Sequence, residues 1–241
     1  MCDYKERNRE MTQWWHSPLA EYLQGQEQRW LQQQQAMLHG YFQLQLGGQA
    51  LILPPSPRQC YQALLGEHGQ FYAELEQLPL KSACIDVLLL QHVLEFSRKP
   101  HQVLREVERV LTEDGTLVLL CFNPFSLWGL RRVFSWQDYM PWRGQFFSRQ
   151  RLKDWLSLLG FDIIEARSLL YGPPLKSATW QERSVFIERW GGRLWPYFGG
   201  VTAIVAKKRT MLVTPLQSRW QNRRLFAKPQ LVASPATRKG H

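Results

Sequence analysis

Residues 84–123 read CIDVLLLQHVLEFSRKPHQVLREVERVLTEDGTLVLLCFN, and their pattern decides the fold. Ile85 to Leu90 is a short apolar run of strand length. Pro100 to Leu111 has the period of an amphipathic helix, with proline in its first turn. Glu113-Asp114-Gly115 makes a turn, and Thr116 to Phe122 is a second apolar strand. Two near-continuous apolar strands joined by a crossover helix predict a parallel sheet covered on both faces.

Working outward, the chain of 241 residues is long enough to bury a substantial core, and 44% hydrophobic with 13% aromatic residues is a folded composition. The N-terminal MCDYKERNRE leads into no apolar run, so no secretory leader is expected. No apolar run approaches the roughly 20 residues of a membrane span. Cys2, Cys60, Cys84 and Cys121 form no CxxC pair and read as reduced thiols, which predicts a cytoplasmic protein. The histidines form no HxH or HExxH pattern, so no metal site is expected.

Charge is uneven along the chain. The formal net charge is +10, and nine cations lie from Lys207 onward with no acidic residue after Glu188, which leaves residues 1–206 near +1. The organisation expected is a helical segment over 1–40, an α/β domain over 41–206, and a basic, Pro-containing, disordered tail over 207–241. Within the first segment, residues 11–39 carry helical spacing, Ser17-Pro18 is a cap and first-turn pair, and the run Gln32 to Gln35 is a solvated face. Gly40 ends that helix.

Tyr41 to Leu46 is the first strand, followed by Gly47-Gly48. Gln49 to Leu53 is a short apolar run, Arg58 to Leu65 has the look of a helix, and Gln70 to Ala73 is a strand candidate. If Ala50–Leu53 were the second strand, the connection from Leu46 would be far shorter than the dozen or so residues a parallel crossover needs. Either that run is not the second strand, or the first helix is lost or displaced to Arg58–Leu65. Past Asn123, the aromatic segment 124–147 packs over the sheet's carboxyl edge as a helix or lid. Ser148 caps a helix over 149–159 closed by Gly160, and strands over 161–166 and 201–206 make a hairpin-like pair. Residues 171–199 form an irregular insert.

The stretches LEQLPLKSACIDVLLLQHVLEF (75–96), PHQVLREVERVLTEDGTLVLL (100–120), FNPFSLWGLRR (122–132), RLKDWLSLLGFDI (151–163) and AIVAKKRT (203–210) resemble class I S-adenosylmethionine-dependent methyltransferases of the Methyltransferase-11 type, in their YafS-like branch. The resemblance implies a Rossmann-like sheet with helices on both faces and S-adenosylmethionine as cofactor. It implies that the first strand and its Gly-rich turn hold the methionyl end at Gln45, Gly47 and Gly48. The family's acidic position there is Gln45, its later glycines are missing, and no acidic residue in Leu51–Pro57 matches its ribose-binding acid. Glu74, followed by Leu75, matches the adenine-binding acid, and Gln91-His92 the segment beside the methyl group.

His92 is thus a candidate general base, against the alternative of a partly exposed histidine at a strand–helix junction. Asp86 is read as an acceptor at a strand entry, and Glu95 as a local cap or solvated acid. Asn123-Pro124 follows the fifth strand of the family's numbering and takes no catalytic role. Two functions stay open: a methyltransferase with a degenerate cofactor loop and an unidentified methyl acceptor, or a non-catalytic binding module. In either, the basic tail 207–241 is a candidate contact for nucleic acid or for a protein partner.

Overall fold

The structure, a computed structural model, describes residues 13–55, 61–65, 74–134, 141–174 and 197–209. Helix α1 spans Pro18–Gln33, and a 3-10 turn at Gln35–Met37 follows it. Strands β1 (Phe42–Leu46), β2 (Tyr61–Leu65) and β3 (Ile85–Gln91) precede helix α2 (Pro100–Val110) and strand β4 (Leu111–Phe122). Helices α3 (Leu127–Phe134) and α4 (Arg149–Leu158) lead to strands β5 (Phe161–Leu169) and β6 (Val201–Lys208). They build a six-stranded sheet in the order β2-β1-β3-β4-β6-β5. β1 pairs in parallel with both β2 and β3, β3 with β4, and β6 runs antiparallel to both its neighbours.

The two sheet faces carry separate cores. Leu44, Leu46, Leu88 and Leu90 pack with Val103, Leu104 and Val107 of α2 and with Leu152, Trp155 and Leu156 of α4. Val87, Leu89, Val118 and Leu120 point the other way, against Leu19, Leu23, Trp30 and Leu31 of α1 and Trp128 of α3. Each such buried side chain contributes about 1.5–3 kcal/mol, so both faces are closed by the hydrophobic effect. The expected α/β sheet with helices on both faces is what the chain forms.

Several element assignments need correction. Residues 61–65 are a strand paired with β1, not part of a helix, and 51–55 hold no strand. Fourteen residues, 47–60, therefore separate β1 from β2, which removes the difficulty of a crossover too short to close. Apolar runs this short do not distinguish helix from strand by period, which is why 58–65 misleads. Glu113–Gly115 lies inside β4, where a register shift occurs against Ile85 and Val87, and Asp114 takes φ 64°. Helix α1 ends at Gln33, ahead of the expected Gly40, and Gln34 is buried, donating to Glu165 at 2.8 Å.

The caps at Ser17 and Ser148 form as expected, accepting from Ala20 N and Arg151 N. β6 runs to Lys208, so Lys207, Lys208 and Arg209 belong to the body. They pair with Asp114 at 3.7 Å, Glu108 at 2.8 Å and Asp162, respectively. The strand candidate at 70–73, the greater part of the insert and the tail from 210 onward lie outside the described residues. No helix among the described residues is long and apolar enough to cross a membrane.

Candidate functional site

The strand order reverses at β1, which has β2 on one side and β3 on the other. In open α/β sheets that reversal leaves a crevice at the carboxyl ends of the strands, where ligands bind. Gly47 and Gly48 follow β1 directly and take φ 80° and 75°, a left-handed geometry open to glycine at low cost. They abut the end of β3. A Cβ on Gly47 would strike Gln91 O and Val93, and one on Gly48 would strike the Gln91 side-chain amide.

Register explains what fills the crevice. Gln45 lies opposite Leu89, so Gln45, Leu89 and Gln91 share the face turned to α1. Gln45 is 0% and Gln91 0% exposed, and buried amides must find partners. Gln45 Oε1 accepts from Ile52 N at 2.9 Å, which fixes the amide's orientation. Its Nε2 donates to Ala50 O at 2.9 Å and to Gln91 Oε1 at 3.0 Å. Gln91 Nε2 donates to Glu27 Oε2 of α1 at 2.7 Å. Glu27 Oε1 faces His92 Nε2 at 2.7 Å, and His92 Nδ1 faces Glu95 Oε1 at 3.0 Å. Glu95 Oε1 also accepts from Phe122 N at 2.7 Å. One continuous polar chain thus ties α1 to the ends of β1, β3 and β4.

His92 sits at its centre with φ 51° and 2% exposure. Its ring stacks on Phe122, centroids 4.1 Å apart, with Trp15 at 6.0 Å. Burial alone would lower its pKa, but the charges and hydrogen bonds of Glu27 and Glu95 outweigh burial and raise it to about 9. His92 is therefore an imidazolium at neutral pH with both nitrogens donating. Its burial corrects the reading of a partly exposed histidine, and both ring nitrogens face carboxylates. Glu95 is likewise corrected. It is 2% exposed and serves as a buried counter-ion, not a solvated acid. The neighbouring Cys121 thiol is pushed up by burial and by Glu95, so it stays protonated.

The remaining predicted residues fall elsewhere. Glu74 is exposed on the turn before β3, and Leu75 packs against the α2 core. Neither joins the polar chain. Asp86 Oδ2 accepts from Tyr41 N at 2.8 Å and Phe42 N at 3.1 Å, the strand-entry role expected of it. Asn123 Nδ2 donates to Tyr197 O at 2.7 Å and Gly199 O at 3.0 Å, and its Oδ1 accepts from Phe125 N. Asn123 is an anchor for the loops at the carboxyl edge. Sequence reasoning missed Glu27 altogether. The signal was available: Leu23, Glu27 and Leu31 lie four residues apart on one buried stripe of α1.

A methyltransferase-domain family model matches residues 37–119, which run from the end of α1's segment through most of β4. The chain is 36% identical over 150 residues to the uncharacterized protein YafS of Escherichia coli, an alignment that takes in 60% of this chain and 57% of YafS. A crystal structure of a Thermotoga maritima S-adenosylmethionine-dependent methyltransferase, possible histamine N-methyltransferase, superposes with a TM-score of 0.58. That match has 18% identity and covers 87% of this chain and 100% of the other.

Residues 37–119 match a methyltransferase domain, and the fold is that of class I methyltransferases.

Its likeness in sequence is to YafS. A malonyl-[acyl-carrier protein] O-methyltransferase of Laribacter hongkongensis is also similar, 36% identical over 89 residues, or 37% of this chain and 30% of that enzyme. The chain spans little more than half the length of YafS and less than a third of the O-methyltransferase.

The matched domain and the fold imply S-adenosylmethionine as the cofactor, and the residues expected to meet its two ends differ in their fit. At the methionyl end the glycine turn has the right backbone, but the Gln91 side chain lies over Gly48. As these side chains stand, that end does not fit. Exposed Glu74 and half-buried Leu75, the residues expected at the adenosine end, have the chemistry of an acceptor and an apolar surface.

Proposed function

We propose that the chain is an S-adenosylmethionine-dependent methyltransferase whose cofactor crevice is covered by its own side chains. The observation that supports this most is the positive-φ Gly47-Gly48 turn at the β1/β3 strand-order reversal, inside a family-matched stretch. In this reading Gly47 and Gly48 offer backbone to the methionyl end, and Gln45 holds the turn in shape through Ile52 and Ala50. Gln91 is the cover, fastened by Glu27, and His92 is the ionic pin that fastens α1 beside it. Glu74 accepts from the adenine and Leu75 lies along it. With β2 now at 61–65, the first acidic residue after it is Glu67, and we assign the ribose contact to Glu67 on its place in the chain. The methyl acceptor is bound elsewhere along the carboxyl edge.

Equilibrium dialysis with S-adenosylmethionine and S-adenosylhomocysteine tests this reading. Submillimolar binding by the unaltered chain is expected, weakened about tenfold or more in Glu67→Ala and in Glu74→Ala, as loss of one buried polar contact predicts. Absence of binding for both ligands at about 1 mM removes the enzyme reading.

One observation favours a second reading, that of a binding module without catalysis. The Gln45–Gln91–Glu27 chain gives the Gln45 and Gln91 amides partners with no ligand needed. In that reading the cations beyond residue 209 are the candidate contact for nucleic acid or for a protein partner. Its mark is a chain that binds no cofactor yet retains salt-dependent binding to RNA or DNA, lost on truncation after Arg209.

A further inference from the structure

A second cavity opens at the carboxyl edge, beyond the covered crevice. Its volume is about 410 Å³, within the roughly 300–1,000 Å³ typical of small-molecule sites. Asn123 at the end of β4, Arg149 and Lys153 on α4, and Phe125, Tyr197 and Phe198 line it. Three features of that lining converge on one kind of ligand.

The first is charge. Among the described residues the lining carries two cations, Arg149 and Lys153, and no carboxylate. The second is an unmet donor. Arg149 is held by a hydrogen bond to Ala166 O and lies over the Tyr197 ring at 5.3 Å, yet its Nε is buried with no hydrogen-bond partner among the described residues. A buried N–H without an acceptor costs about 1–3 kcal/mol, which an incoming oxyanion would offset. The third is the aromatic wall. Phe125, Tyr197 and Phe198 are 66%, 65% and 58% exposed, unusual for rings gathered around one cavity. Such rings favour a flat or apolar body, and the guanidinium over the Tyr197 ring is a planar group of donors suited to an oxyanion.

We propose that this cavity is the acceptor pocket, and that its ligand is an oxyanion, carboxylate or phosphate, carried on an apolar or aromatic body. Its role as acceptor pocket rests on the methyltransferase reading; the binding chemistry does not. Asn123 belongs to the scaffold of the pocket, since its side chain is spent on Tyr197 O, Gly199 O and Phe125 N. Lys153 is the movable charge and Arg149 the fixed one.

The test is calorimetric titration of the full chain at constant ionic strength with benzoate, phenyl phosphate and neutral benzyl alcohol. S-adenosylhomocysteine is titrated into the same preparation. One or both anions should bind about tenfold or more tightly than benzyl alcohol, as a desolvated charge contact predicts. Lys153→Gln should remove most of that preference, and Tyr197→Ala should weaken all the aromatic ligands. Tighter benzoate assigns a carboxylate, and tighter phenyl phosphate assigns a phosphate. Equal binding of the neutral and charged probes, or a preference unchanged in folded Lys153→Gln and in Lys153→Glu, overturns the proposal. Binding of S-adenosylhomocysteine without any probe overturns the pocket and leaves the methyltransferase reading standing. Probe binding without S-adenosylhomocysteine retains the oxyanion site and removes its role in methyl transfer.

Discussion

Glu27 occupies a position where the stripe of α1 calls for leucine, and it is 0% exposed. A carboxylate is tolerated in a core only when charge and hydrogen bonds compensate it, and His92 with Gln91 supplies both. The same physics makes a prediction about pH. The folded-state pKa of His92, about 9, lies above its ordinary 6.5, so the folded chain holds that proton more firmly than the unfolded chain. The stability this gives is complete below about pH 6.5 and fades as pH rises through about 9, amounting to about 3 kcal/mol in all. Urea unfolding across that range should show wild-type stability falling relative to a His92→Gln variant. A difference that stays flat with pH would remove the buried imidazolium. Glu27's place on the apolar stripe was legible in the sequence, but its pairing was not, because Glu27 and His92 are 65 residues apart and meet only in the fold.

At the scale of elements, the stretch that opened the reading held for β3 and α2, while β4 begins at Leu111 and absorbs the expected turn at 113–115. Long, strongly patterned segments declare themselves, and Ser17 and Ser148 announced the helix starts because a capping hydroxyl is a local device. The failures lie where the pattern is short. Tyr61–Leu65 becomes a strand because β1 offers it an open edge, a fact of pairing invisible in five residues. The cap at Ser17 matters beyond its own turn, since α1 carries Glu27 into the crevice. Ser17→Ala loses the acceptor for Ala20 N and should lower stability by about 1 kcal/mol, or the melting temperature by about 2–4 °C. A thermal melt that matches wild type would show that tertiary packing alone holds the helix start.

For the whole molecule, the stretches from 75 to 132 carried the resemblance, and the resemblance made the cofactor an expectation. What the sequence could not reveal was that the crevice is closed from within. Its glycine turn reads as an open cradle until Gln91, Gln45 and Glu27 are seen to share one face of the sheet. Burial of polar side chains at a switch point is a feature of assembly, with partners drawn from α1, β1 and β3. The cavity proposed for an oxyanion is lined by Asn123, α4 and the residues ahead of β6, and its cations are unconnected to that polar chain in the hydrogen bonds described.

The most direct measurement of this account is calorimetric titration of S-adenosylhomocysteine into the wild-type chain and into Gln91→Ala. If Gln91 covers Gly48, removing its side chain should tighten binding by about tenfold or more, the equivalent of about 1.4 kcal/mol. Binding that is unchanged or weaker in a folded Gln91→Ala chain would contradict the covered crevice.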